Sequence, residues 1–141
     1  MGHLAQVAES LRDARLLLEE NRVGRTAFSY IRDLRMSVMA RKDLKLETRG
    51  ILHYDKPYAW VRVVSRDIKN TDKILLIRAG THGEEISGPL TLLHNLDEIA
   101  ETAKAHKLKL IIYPLQNPSG FEGGTRWNED RSPKGGDDFV R

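Results

Sequence analysis

No cysteine occurs anywhere in the 141 residues. Disulfides and thiolate-ligated zinc are thereby excluded, and any metal site must be built from histidine and carboxylates. Long apolar runs are also missing. The longest (Leu16–Leu18, Ile74–Ile77 and Leu110–Tyr113) fall far short of the ~20 residues a membrane-spanning helix needs. No basic-then-apolar leader opens the chain. These absences are read as a cytoplasmic protein with no membrane partner. Aromatic residues are only 6% of the chain and do not alternate with a basic stripe, so no stacking platform for single strands is indicated. Lys and Arg are interspersed with Asp and Glu, the net charge is only +3, and nucleic acid is not an expected partner.

The remaining composition, 40% hydrophobic and 30% charged, suits one globular domain with a true core. Residues 3–21 place Leu4, Val7, Ala8, Leu11, Ala14 and Leu18 at helical spacing. A second helical stretch, 26–41, places Ile31, Leu34, Val38 and Met39 on one side. Both helices are expected to pack on the core or on a partner.

From Leu44 the period changes to two. Leu44, Leu46 and Thr48 alternate with Lys45 and Glu47, and a second strand runs from Tyr58 to Ser65 after turn chemistry at Tyr54–Pro57. The pair should be antiparallel. Lys73–Ala79 is almost continuously apolar, as expected of a central strand buried on both faces. One helix should follow, carrying Ile86, Leu90, Leu93, Leu96, Ala100 and Ala103, with Pro89 tolerated in its first turn. Leu108–Tyr113 reads as a second buried strand. Strand, helix and strand make a crossover unit, so these two strands should be parallel. Residues 117–136 are rich in glycine and proline and read as a long loop. Few apolar side chains occur over 117–141, so this segment should gain little by ordering and is expected to be mobile.

Ligands of open α/β sheets bind beyond the carboxyl ends of the strands. Two segments with chemistry lie there: Gly80–Glu85 and Gln116–Arg141. His82 and Glu85, spaced H-x-x-E, offer an imidazole and a carboxylate, both good zinc donors. Without other support, His82 could equally cap the helix, with Glu84 and Glu85 favouring its positive end.

The strings AGTHGEEISGP (79–89), YPLQNPSGFEGGTRWNED (113–130) and GGDDFVR (135–141) resemble the zinc carboxypeptidase superfamily, meaning the carboxypeptidase A-like peptidases and the related succinylglutamate desuccinylase and aspartoacylase deacylases. The resemblance runs from about Lys73 to the end. It implies an incomplete zinc-exopeptidase-like α/β fold, a mixed sheet with a crossover helix; with the two preceding helices, which lie outside the resemblance, the chain divides into a helical segment 1–42 and the N-terminal part of a zinc carboxypeptidase-like domain, 43–141. It also implies a Zn2+ cofactor bound by His82 and Glu85. Arg126 would be the catalytic residue that stabilises an oxyanion. Asn117 and Arg141 would be substrate-binding residues, Arg141 offering a fork for a terminal carboxylate. Val140 stands where the family has an asparagine. The family's third ligand, a histidine, and its general-base glutamate lie further downstream than Arg141, so an N-terminal part of a longer enzyme is expected. His3, His53, His94 and His106 read as surface or packing residues.

Three functions fit: a zinc metallocarboxypeptidase acting on C-terminal peptide bonds, an N-acyl amino acid deacylase, and a non-catalytic binding module. The first two need a substrate with a free carboxylate. The open sheet edge is a candidate for self-association.

Overall fold

The chain enters the first helix among the described residues through Thr26, whose side chain accepts from Ser29 N–H while the Ser29 hydroxyl accepts from Thr26 N–H. This reciprocal cap satisfies donors that a helix start leaves free. The computed structural model describes residues 26–53 and 57–126. The expected helix over 3–21 and residues 127–141, with Arg141, lie outside them. Helix α1 (Ala27–Met39) buries Ala27, Tyr30, Leu34 and Val38, a stripe at helical spacing. It packs on the core, as expected.

Arg41 then fixes the passage from helix to sheet. Its guanidinium binds Asp43 at 2.8 Å, Asp97 at 3.0 Å and Glu101 at 2.6 Å. Asp43 first, then Glu101, raise its pKa above the ordinary value, and Arg41 in turn lowers that of Asp43.

Strands β1 (Leu44–His53) and β2 (Pro57–Ser65) form the expected antiparallel pair, with an irregularity between Thr48 and Gly50. Glu47 lies opposite Arg62 in this register and accepts from it at 2.8 Å, while Lys45 lies at 2.7 Å on the same strand. Strands β3 (Lys73–Arg78) and β4 (Leu108–Tyr113) are parallel, with Leu75 opposite Leu110. Helices α2 (Ser87–His94) and α3 (Leu96–Ala105) make the crossover between them. The sheet order is β1-β2-β4-β3, a mixed α/β sheet of four strands. One cluster joins Tyr30, Leu34, Leu44, Val63, Leu90, Leu96, Leu110, Ile112 and Phe121.

Two expectations are corrected. β3 is an edge strand, not a central one: among the described residues only β4 pairs with it. Ile74, Leu75 and Leu76 are exposed, Leu76 by 55%. Continuous apolarity marks a strand meant to be covered on both faces, and no described element covers the face bearing Ile74 and Leu76. β4, by contrast, is central and buries Leu110 and Ile112. The single expected helix is two. Asn95, at φ −119°, leaves the helical region and turns its side-chain amide onto Thr91 O. Asparagine competes with helical hydrogen bonding in this way. Asp97 and Glu98 then favour the new N-terminus. Pro89 lies in the first turn of α2, as required.

Two measurements check this arrangement. In this chain Leu110→Ala should cost about 2–5 kcal/mol in chemical denaturation, and Leu76→Ala less than about 1 kcal/mol; equal losses would contradict the edge position of β3. Lys45 and then Arg62 depress the Glu47 pKa from 4.5 to about 2. A carboxylate depressed on folding stabilises fully above its unfolded value and loses that contribution as pH falls through the folded value. The stability gap between the protein and Glu47→Gln should therefore be largest above about pH 5 and close towards pH 2, its size about 0.2–1 kcal/mol for such a partly exposed pair. A gap independent of pH would contradict the ion pairing.

Candidate metal and amide-binding site

The parallel strands β3 and β4 end side by side, and the chain keeps the two exits together. Ala79 N–H donates to Tyr113 O at 2.9 Å, Gln116 N–H to Ala79 O at 3.1 Å and Asn117 N–H to Gly80 O at 2.7 Å. Gly80 sits at φ +64°, where a side chain is disfavoured, and a Cβ there would lie 3.0 Å from Leu115. Buried Gln116 accepts from the Thr81 hydroxyl at 2.8 Å and from Arg78 Nε at 3.3 Å. The loop after β3 is thus tied to the loop after β4 through backbone and side chain.

His82–Glu85 forms a turn closed by Glu85 N–H to His82 O at 3.2 Å. This turn precedes α2, between the strand and the helix as the sequence implied. The N-cap of α2 is Ile86, with no side-chain cap. His82 is therefore not a helix cap. Its Nδ1 lies 3.0 Å from Glu85 Oε1. Two ligands of a tetrahedral zinc with bonds of about 2.0–2.1 Å stand roughly 3.3 Å apart, so this imidazole and carboxylate fit two positions of such an ion with little movement. Among the described residues no group of three or more metal-donor side chains occurs. The expected third ligand is not among them, and the pair fits zinc as a partial set.

The stretch from 117, read as a loop expected to be mobile, begins as a helix. Asn117 starts α4 (Pro118–Gly123), and Pro118 to Phe121 are buried. The signal was present in the sequence: asparagine as cap followed by proline in the first turn. Tyr30 covers Phe121 with ring centroids 5.5 Å apart and donates its hydroxyl to Pro89 O at 2.8 Å. Glu122 accepts from Ala27 N–H at 2.7 Å and from the Tyr58 hydroxyl at 3.2 Å. These contacts hold α4 against α1 and β2; the rest of the segment, 127–141, lies outside the described residues.

Gly124, at φ 62°, ends α4 in the left-handed conformation and sends the chain back over the β3 loop. Arg126 thereby reaches the turn. Its guanidinium binds Glu84 Oε1 at 3.1 Å and stands 3.9 Å from Glu85 Oε1. The structure brings His82, Glu85 and Arg126 together. Asn117, expected on substrate, is placed otherwise: it is fully buried, and its side chain caps α4 and holds Arg126 O. His94 and His106 are exposed, as expected. Glu84 as partner of Arg126, and Glu122 as tether of α4, were not foreseen; neither has a local signal, because each contact depends on how the loops pack.

Residues 71–137 match the family model of the succinylglutamate desuccinylase/aspartoacylase catalytic domain. A candidate metallopeptidase from Shewanella denitrificans is 32% identical, with a TM-score of 0.60 over 74% of this chain and 38% of that one. A candidate metallopeptidase from Shewanella baltica is 33% identical, with a TM-score of 0.60 over 75% and 38%. A candidate carboxypeptidase A from Shewanella denitrificans is 28% identical, with a TM-score of 0.50 over 68% and 27%. No curated protein matches. The chain spans about two fifths of the length of the two metallopeptidase structures. Over this shared part the chain is similar to the zinc carboxypeptidase-like superfamily and to the desuccinylase/aspartoacylase catalytic domain.

The turn and α4 meet through glycine. A Cβ on Gly83 would lie 2.0 Å from the Gly120 carbonyl carbon. Gly83→Ala should therefore push the loops apart at a cost of about 1–3 kcal/mol, whereas Gly50→Ala, with nothing within 4 Å, should not destabilise by clash. Equal unfolding midpoints for Gly83→Ala and the parent chain would contradict the close approach.

Proposed function

We propose that this chain contributes His82, Glu85 and Arg126 to a zinc-dependent hydrolase of amide bonds beside a free carboxylate, in the first place a metallocarboxypeptidase. One observation carries the reading. His82 Nδ1 and the cationic Arg126 fork converge on the same Glu85 oxygen, at 3.0 Å and 3.9 Å. A zinc ion held by His82 and Glu85 would supply Lewis acidity toward a carbonyl and lower the pKa of water to about 7.

The remaining chemistry belongs to the protein. Arg126 is planar, always charged and presents paired donors, which suits the oxygen of a scissile carbonyl as it gains charge. In the structure Glu84 holds this guanidinium, at a partly exposed position on both sides. An exposed ion pair of this kind is weak and exchanges readily for an incoming oxyanion. Arg141 is proposed to bind the substrate's terminal carboxylate through the same bidentate chemistry.

A second reading is an N-acyl amino acid deacylase. The match of residues 71–137 to the desuccinylase/aspartoacylase family model favours it. Both readings share the ligands, the arginine and the carboxylate; they differ in what lies on the acyl side.

His82→Ala should abolish the zinc affinity of the chain in titration calorimetry. Unchanged affinity would remove His82 from the ligand set. In a complete zinc-loaded enzyme, Arg126→Ala should lower kcat by about a hundredfold to a thousandfold with KM little changed. A raised KM alone would make Arg126 a binding residue. Peptides with free C-termini set against succinyl and acetyl amino acids separate the two enzymatic readings, and hydrolysis of neither leaves a binding module.

A further inference from the structure

We infer that Asn117 is a positioning residue for Arg126, acting as a two-sided clamp between the cap of α4 and the turn that carries His82 and Glu85. The inference rests on the role proposed above for Arg126. It assigns Asn117 a task distinct from contact with substrate.

Every polar group of Asn117 is engaged, in the β3 loop, in α4 or at Arg126. Its N–H donates to Gly80 O in the β3 loop at 2.7 Å. Its Oδ1 accepts from Gly120 N–H at 2.9 Å and from the Ser119 hydroxyl at 3.4 Å, which caps α4. Its Nδ2 donates to Arg126 O at 3.1 Å. Its own carbonyl accepts from Phe121 N–H at 3.0 Å, within α4. Arg126 O also accepts a longer bond, 3.4 Å, from Gly83 N–H, one residue after His82.

The carbonyl of Arg126 is thus gripped from both loops, and its side chain departs toward Glu84 and Glu85 from a backbone that cannot drift. The side chain of Asn117 is wholly buried, so water cannot replace a lost bond cheaply. The amide is the group this task requires. Aspartate or serine keeps an acceptor for the cap, but an ionised aspartate has no donor for Arg126 O and a serine hydroxyl ends one bond short of the position of Nδ2. Gly83 and Gly120 make the clamp short enough to work, because a Cβ on Gly120 would lie 2.6 Å from Asn117 Nδ2.

The test uses amide hydrogen exchange on the whole chain with Asn117→Asp, Asn117→Ser and Asn117→Ala. Slow exchange at Leu110 and Ile112 serves as the reference for global folding. The clamp predicts that Asp and Ser keep Gly120 N–H protected yet lose protection at Gly83 N–H by at least about tenfold, while Ala loses both. If Asp and Ser leave Gly83 as protected as in the parent chain, Asn117 is a helix cap alone and the inference fails. Should the Asp variant not fold, the Ser variant decides by the same two amides. In the complete zinc-loaded enzyme, on whichever substrate class it hydrolyses, Asn117→Ser should lower kcat by up to about a hundredfold, the scale of a misplacement near 1 Å, with KM within threefold. A purely raised KM would put Asn117 on substrate and overturn the clamp. If the complete enzyme hydrolyses neither class, the hydrolase reading fails, while the exchange result, read on this chain, still decides the clamp.

Discussion

The site depends on one close approach. A side chain at position 83 would overlap the backbone of Gly120, so the loops after β3 and β4 can meet only through glycine. Where they meet, the turn bearing His82 and Glu85 lies under the returning segment that carries Arg126. Parallel pairing of β3 and β4 brings the two loop starts to one end of the sheet, and backbone bonds from Ala79, Gln116 and Asn117 carry that pairing past the strands. Chemistry at this end follows from topology first and from side chains second.

Support for the loops comes from beneath. Tyr30 reaches from α1 to the carbonyl of Pro89 and to the ring of Phe121, and Glu122 returns to α1 and β2. Helix α1 precedes residues 71–137, the part matched by the family model, yet it braces α4 through Phe121 and Glu122 and the start of α2 through Pro89. At the other end of α1, Arg41 ties the start of the sheet to α3 through Asp43, Asp97 and Glu101. A core shared in this way couples the geometry of the site to the stability of the helix.

Much of this was legible in the sequence. Alternation marked β1 and β2, apolar runs marked β3 and β4, and the crossover implied their parallel pairing. H-x-x-E after a strand, together with the family resemblance that implied Arg126, marked the residues that the fold brings together. What was not legible has physical causes. Apolarity shows that a strand is built to be covered but not what covers it, so β3 read as central although it stands at the edge of the described sheet. Helical periodicity ran through Asn95 because Leu96, Ala100 and Ala103 keep the same apolar rhythm, and only the asparagine's bond to Thr91 O breaks it. Glycine and proline over 117–124 suggested a loop, yet the same residues suit a short capped helix with a left-handed end. The partners Glu84 and Glu122 depend on loop packing, which local pattern does not encode.

The central claim is that His82 and Glu85 form one half of a zinc site. Anomalous diffraction at the zinc edge, from crystals of this chain soaked in zinc, tests it most directly, because soaking populates even a weak partial site. The account predicts a peak about 2.0–2.2 Å from both the His82 imidazole and the Glu85 carboxylate. Zinc peaks at other histidines with none between His82 and Glu85 would contradict it.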